Sequence, residues 1–318
     1  MEKNIIILLH RFLNFYLMFI KSLKTTSYLI VFIIFVFFNK GYSQRFIDRN
    51  LIINPFLGNE SSKEKFYPQL FSFGEFGLYR IKTDSDHSWL QKLGLIIEFF
   101  GNKDISFGGT SLIEFIADPH NDIRFNPRAI FWEESFFLAR NDSKNIFMIS
   151  YHHRCKHDID NLSSGEERSL IYGSVSIRYL IKNFLPLKIQ NDLQLRSEIY
   201  TIKQDYRMPN TKIKYNLEDL VFSIGSIFKL KILTYNNFNF YTNFNFIGSY
   251  FSVNKNFFEQ FVSIDRASVS YGIYAGIEYE EKEKVSVNLN FEKFNDTGIR
   301  IQPIKSHLIS MSIIFSPF

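Results

Sequence analysis

The chain has 318 residues, enough for one large all-β domain or two small ones, and carries a net charge of +5. Its basic residues are scattered among acidic ones and form no run, which argues against binding to nucleic acid. The single cysteine, Cys155, excludes an internal disulfide. Aromatic residues make up 18% of the chain while the mean hydropathy is only -0.08, so apolar and polar residues must be interleaved, as in strands with one apolar and one polar face.

The N-terminal residues 1–43 differ from the rest and predict an export signal. Two lysines precede the unbroken apolar run of residues 28–38, and small residues follow it up to Ser43. This order is typical of a secretory signal peptide cleaved after Ser43. The run is too short to cross about 30 Å of hydrocarbon as a helix, which argues against a membrane anchor. Met18 would serve as a start codon for a signal of ordinary length, in which case residues 1–17 are not translated.

The remainder of the chain divides into a lead-in segment, residues 44–65, and a domain of predicted strands, residues 66–318. Within that domain, strand-like stretches recur about every 20 residues and are separated by clusters of turn-forming residues. The predicted strands are, in chain order, 70–82, 89–100, 105–117, 129–140, 146–158, 169–182, 187–203, one within 212–233, 238–246, 268–280, 285–291 and 308–318.

About twelve strands with alternating faces predict an all-β fold, a closed antiparallel transmembrane β-barrel. Tyrosines and tryptophans cap the apolar stripes, where we expect the aromatic girdles of such a barrel: Trp89, Trp132, Tyr151, Tyr179, Tyr271 and Tyr279. The alternative is a secreted soluble β-sandwich or barrel, whose strands also alternate. These strands are too long for most sandwiches, which favours the membrane barrel.

The strand pattern over residues 66–318 and the final Phe318 resemble outer-membrane β-barrels of Gram-negative bacteria as a class. The last strand of such barrels commonly ends in an aromatic residue that the barrel-assembly machinery reads, although Pro317 departs from that pattern. The resemblance implies a location in the outer membrane. It also implies outer-membrane lipid, lipopolysaccharide and the assembly machinery as partners. It leaves the role open between a structural barrel and small-solute transport, and no cofactor is expected.

The fifth predicted strand carries the densest group of reactive side chains. His153, Cys155 and His157 share the face that continues the apolar stripe ending at Tyr151, because successive side chains of a strand point to opposite sides. We expect that stripe to face lipid, with Tyr151 at the membrane interface. If the N-terminus starts in the periplasm, the fifth strand rises to the cell surface. The cluster would then lie at the level of the lipid headgroups.

Three interpretations of this cluster stay open. In the first, the residues are only the polar end of a strand. In the second, His153-x-Cys155 followed by Glu167 resembles the His-x-Ser and downstream Glu of the outer-membrane lipid A 3-O-deacylases. That resemblance implies Cys155 as nucleophile, His153 as base and Glu167 as orienting acid, while His157 is an alternative base. In the third, His153, His157 and Asp158 bind a divalent metal such as zinc or copper.

A second polar group precedes the cluster in the chain. We expect it to face the barrel interior and to form salt bridges there, or to line a constriction that selects solutes. Its members are Asp122, Arg124, Asn126, Arg128, Glu133 and Glu134.

Overall fold

Twelve antiparallel strands close into a barrel in the computed structural model of this chain. The structure describes residues 69–80, 89–118, 126–158, 168–207, 219–253, 258–281, 283–293 and 307–317. The strands are β1 (Gln69–Arg80), β2 (Trp89–Gly101), β3 (Ile105–Asp118), β4 (Asn126–Asn141), β5 (Asn145–Asp158), β6 (Arg168–Lys182), β7 (Asn191–Arg207), β8 (Asp219–Tyr235), β9 (Phe238–Ser252), β10 (Arg266–Glu280), β11 (Glu283–Lys293) and β12 (His307–Pro317). A short helix, α1 (Glu259–Val262), follows β9.

The predicted fold class, a closed antiparallel all-β barrel of about twelve strands, is confirmed. Each predicted strand corresponds to one observed strand. The seventh begins later than predicted, at Asn191, because the Asn191 amide closes the preceding turn through hydrogen bonds with the backbone of Leu185, at 2.6 Å from the Leu185 nitrogen and 3.1 Å from its oxygen. The predicted signal peptide, the lead-in segment and Phe318 lie outside the described residues.

Each strand pairs with its neighbours in the chain, and β1 pairs with β12 to close the sheet. Closure leaves no unpaired edge in the barrel. The connections differ between its two ends. At one end four of the five connections have two or three residues, and the fifth has eight: residues 102–104, 142–144, 183–190, 236–237 and 281–282. At the other end they are mostly longer: residues 81–88, 119–125, 159–167, 208–218, 253–265 and 294–306.

The side chains that point out of the barrel are predominantly apolar. Leu93, Phe136 and Leu289 are 60%, 60% and 66% exposed, and they alternate along their strands with buried residues that point inward. Large apolar side chains exposed in a continuous band are unusual in a protein that faces only water and are typical of a barrel that faces lipid. Among the described residues, no helix is long and apolar enough to cross a membrane.

The barrel interior is layered and not uniformly polar, which differs from the expected hydrophilic lumen. Near the longer connections, inward-facing apolar side chains including Leu90, Phe131 and Phe251 form one buried cluster. Near the short turns, Phe137 and Met148 belong to a second. Most inward-facing side chains between these clusters are polar or charged and buried. The two apolar clusters and the buried polar layer together form a packed core inside the barrel.

Candidate functional site

A network of buried charges occupies the middle of the barrel interior. The Glu133 carboxylate accepts hydrogen bonds from Arg154, at 2.6 Å from Nε, and lies 2.7 Å from Nδ1 of His152. The Arg154 guanidinium also donates to the Glu198 carboxylate and, at 2.6 Å, to the Ser174 hydroxyl. Arg154 is only 2% exposed. A buried charge is tolerated when it is paired and hydrogen-bonded. Here Arg154 pairs with Glu133 of the neighbouring strand β4 and with Glu198 of β7, two strands away.

The network extends sideways from these residues. The second oxygen of Glu198 accepts a hydrogen bond from Arg196 at 2.7 Å and from the Tyr200 hydroxyl at 3.1 Å. On the other side, Nε2 of His152 lies 2.7 Å from the Ser150 hydroxyl and 3.1 Å from that of Ser176. Five consecutive strands, β4 to β8, thus contribute to one polar layer, since Tyr200 reaches β8 at Ser223.

The opposite wall of the interior holds fewer charges and more amides. The Lys229 ammonium lies 3.2 Å from the Glu278 carboxylate, and the Tyr274 hydroxyl donates to Glu292. Asn290 donates to the hydroxyls of serines on β12, at 3.1 and 3.2 Å. These contacts tie β8 to β12 together across the sheet, as the salt-bridged layer does for β4 to β8.

The expectation that the second polar group lines the interior is confirmed for Glu133 and wrong for Glu134. Glu133 is buried inside the barrel, whereas Glu134 is exposed on the outer wall, because adjacent residues of a strand face opposite ways. For the rest of that group, the structure describes no side chain: Asp122, Arg124, Asn126 and Arg128.

The predicted reactive cluster is on the outer wall, on the same face as the exposed Phe147, Ile149 and Tyr151, as expected. Within it, His153 and Cys155 are in contact, with Nε2 of His153 3.4 Å from Sγ of Cys155. His152, their neighbour in sequence, points inward into the charge network instead.

Side chains of β4 cover the cysteine. Trp132 pairs with Cys155 across the two strands, and its indole N–H donates to the sulfur. The same indole ring lies 4.9 Å from the ring of His157, centre to centre. Cys155 is therefore only 5% exposed, although it belongs to the outer face. Glu134, one step further along β4, pairs with His153.

The depth of this cluster follows from the pairing. Tyr151 lies at the middle of β5, between the exposed Phe136 and Val175, so it does not mark the interface that we expected it to mark. Trp132 is closer to the longer connections, and tryptophan is enriched at membrane interfaces. Cys155 lies at the level of Trp132, and the pair Glu134–His153 lies two residues deeper in the apolar band.

Two of the predicted catalytic residues, His153 and Cys155, are brought together, and His157 contacts Trp132. Glu167 lies outside the described residues, and the structure describes only the backbone of Asp158. Among the side chains that are described, no group of three or more histidine, cysteine or carboxylate residues is arranged to hold a metal ion.

Sequence reasoning missed Glu134 as a neighbour of His153. The signal that could have found it is the turn at residues 142–144, which joins β4 to β5. Counting back from that turn places Asn141 opposite Ile146 and, by the same register, Glu134 opposite His153.

Comparison with known proteins gives similarity in fold only. No family model and no curated protein matches the chain. The β domain of the Bordetella autotransporter BrkA shares 8% identity over 79% of this chain and 98% of its own, with a TM-score of 0.48. LpxR from Salmonella typhimurium shares 9% over 78% and 100%, with a TM-score of 0.43. Outer membrane phospholipase A from Escherichia coli shares 9% over 79% and 98%, with a TM-score of 0.40.

Proposed function

We propose that the chain is an integral outer-membrane β-barrel exported by a cleaved signal peptide, with lipid and lipopolysaccharide around it. The continuous apolar outer wall supports this location. The unequal connections support an orientation with the short turns in the periplasm and the longer connections at the cell surface. In that orientation β5 runs outward, and Cys155 lies near the boundary of the outer leaflet. The barrel-assembly machinery is the proposed partner for insertion.

We infer that the barrel is closed and does not work as an open diffusion channel. The observation that carries this is the filled interior, where a buried salt-bridged layer lies between two buried apolar clusters. Water and solutes would have to displace paired charges and packed apolar side chains to pass. This favours a role carried by the outer wall or by the fold itself over small-solute transport.

Planar bilayer recording of the purified barrel tests this. Insertion is verified by co-flotation with vesicles and by the slower gel mobility of the unheated barrel, so that a silent membrane reflects a closed barrel. We expect no steady conductance from the wild type. A steady, ohmic conductance that scales with the amount of inserted protein would overturn the proposal.

The second candidate function is hydrolysis of a lipid ester at the outer wall, and the contact between Cys155 and His153 favours it. The His153 imidazole would take the thiol proton as the sulfur attacks the ester carbonyl. The tetrahedral intermediate would then collapse to a thioester as its C–O bond breaks and the leaving alcohol takes the proton from the imidazolium. Water would then hydrolyse the thioester to the free fatty acid and restore the thiol. This chemistry needs no cofactor.

Mass spectrometry of outer-membrane lipids tests this second candidate. Cells that express the wild type are compared with cells that express Cys155→Ala, and Ser197→Ala serves as a control because Ser197 is another small residue of the outer wall. Loss of acyl chains in the wild type and the control, but not in Cys155→Ala, would support hydrolysis. Identical lipid profiles in all three strains would exclude it.

A further inference from the structure

An acidic residue on the lipid-facing wall of the barrel needs an explanation. Among the side chains that the structure describes, Glu134 is the one carboxylate on the outer wall away from the strand ends. Its neighbours along the same face of β4 are Trp132 and the exposed Phe136. Charged residues on the lipid face of a barrel are destabilising in a depth-dependent way, so a carboxylate here is unfavourable unless a partner compensates for it.

Cross-strand pairing places a candidate partner opposite it. Glu134 lies between Ser111 of β3 and His153 of β5, and Gly173 of β6 continues the row beyond His153. Directly opposed residues of antiparallel strands have Cβ atoms about 4.5–5.5 Å apart, which brings a carboxylate within reach of an imidazole. A transverse row of polar or small residues therefore crosses a predominantly apolar wall.

The orientation of the histidine ring completes the arrangement. Nε2 of His153 faces Sγ of Cys155 at 3.4 Å, which leaves Nδ1 of the same ring for another partner. In hydrolytic triads one ring nitrogen takes the proton of the nucleophile, while a carboxylate holds the N–H of the other and so selects the tautomer. Glu134 is the carboxylate that the register places opposite His153.

We propose that Glu134 is the positioning residue of a lipid-facing triad, Glu134–His153–Cys155, that hydrolyses carboxylic esters of lipids. This inference rests on the second candidate function above. It assigns the orienting role to a residue of β4 instead of Glu167. Glu134 acts through His153: it holds the imidazole so that Nε2 can take the thiol proton and return it to the leaving alcohol.

The depth of the triad selects the substrate class. Cys155 lies level with Trp132, in the half of β5 nearer the longer connections, and tryptophans on a membrane barrel are typical of the headgroup level, where ester bonds of lipids are located. Glu134 and His153 lie deeper, among apolar side chains. A lipid could present its ester from the side without leaving the membrane, but the Trp132 indole must first turn aside, because it covers the sulfur. Both a glycerophospholipid and the ester-linked chains of lipopolysaccharide carry this bond.

The experiment uses the full barrel in mixed micelles, with either a glycerophospholipid or lipid A as substrate, and measures released fatty acid by mass spectrometry. The variants are Glu134→Gln, Glu134→Asp and Glu167→Gln, and the matched control is Glu281→Gln, which changes an exposed carboxylate in the turn after β10. We expect Glu134→Gln to lower kcat by about 10²–10⁴-fold with little change in KM, because orientation of a base acts on the transition state. Glu134→Asp keeps the charge and should recover part of the rate, and Glu281→Gln should equal the wild type.

Each outcome separates this inference from the function on which it rests. If Cys155→Ala abolishes hydrolysis but Glu134→Gln retains the wild-type kcat, the proposed hydrolysis is supported and the role of Glu134 is refuted. The same holds if Glu167→Gln shows the loss instead. If the wild type releases no more fatty acid than Cys155→Ala from either substrate, both the proposed hydrolysis and the proposed triad are refuted. Gel mobility of the unheated variants verifies that each has folded.

Discussion

Replacing Arg154 by methionine should destabilise the barrel strongly, because Arg154 is the cation between two buried carboxylates. Its guanidinium contacts Glu133, Glu198 and Ser174 and is 2% exposed, and both carboxylate groups are fully buried. Methionine fills a similar volume but leaves one negative charge in excess in this layer. The substitution therefore tests whether the charge network holds the closed interior together.

The expected magnitude follows from what each carboxylate keeps. Removing one partner of a buried ion pair typically costs about 3–5 kcal/mol, since the other charge remains buried. Here Glu133 still has His152 and Glu198 still has Arg196, so we expect a loss near the lower limit, about 3 kcal/mol. Adding Glu133→Gln to Arg154→Met removes the excess charge. The double variant should recover about 1–3 kcal/mol relative to the sum of the two single changes.

Urea unfolding in detergent micelles measures these values, with the fluorescence of the chain's two tryptophans as the signal. Both tryptophans are on the outer wall and leave lipid or detergent when the barrel unfolds. Lys188→Met, at an exposed position in the turn before β7, is the control and should change stability by less than about 0.5 kcal/mol. If Arg154→Met is as stable as that control, or if the double change is simply additive, the network does not stabilise the interior.

Three further outcomes are expected. Phe136→Arg places a cation on the lipid face at mid-strand and should cost about 2–4 kcal/mol in refolding titrations into vesicles, where no change would argue against lipid contact at that position. Tyr200→Phe removes the hydroxyl that donates to Glu198 and should cost about 1 kcal/mol by urea unfolding, and an unchanged midpoint would contradict this. Trp132→Ala should speed the alkylation of Cys155 by a membrane-permeant maleimide, followed by mass spectrometry, because the indole covers the sulfur; an unchanged rate would show that something else limits access.

The architecture could be predicted because it follows from one pattern, the two-residue alternation of apolar and polar side chains along each strand. A strand between lipid and a packed interior needs side chains of opposite character at alternate positions, and this pattern is visible in a single sequence. It yields the number of strands and the outward face of β5. Strand ends are less visible because they depend on particular hydrogen bonds. Asn191 ends a turn by hydrogen-bonding to the backbone of Leu185, and the alternation of apolar and polar residues does not predict that contact.

The interior and the site depend on pairing between strands, which periodicity alone does not define. Glu133 and Glu134 are adjacent and chemically alike, and a change of one position sends a side chain to the other side of the wall. The contacts of Arg154 with Glu198 span two strands, so no local pattern predicts them. Apolar residues inside the barrel also cannot be distinguished from those outside by sequence alone. The inward-facing Phe131 lies between the outward-facing Ile130 and Trp132, and together they form a continuous apolar run.

The polar residues inside the barrel stabilise the fold, whereas those on the outer wall reduce its stability. This difference is the strongest reason to look for function on the outside. Inside, Glu133 and Glu198 are paired with cations, so the stability of the fold is a sufficient reason for these charges. Outside, Glu134 and His153 interrupt an apolar wall where an aliphatic residue would be favourable in lipid. Folding gives no reason to place a carboxylate there, whereas orientation of the His153 ring toward the Cys155 sulfur does. A polar pair that costs stability at a lipid-facing position, next to a thiol in contact with an imidazole, is the arrangement on which the proposed hydrolysis of lipid esters depends.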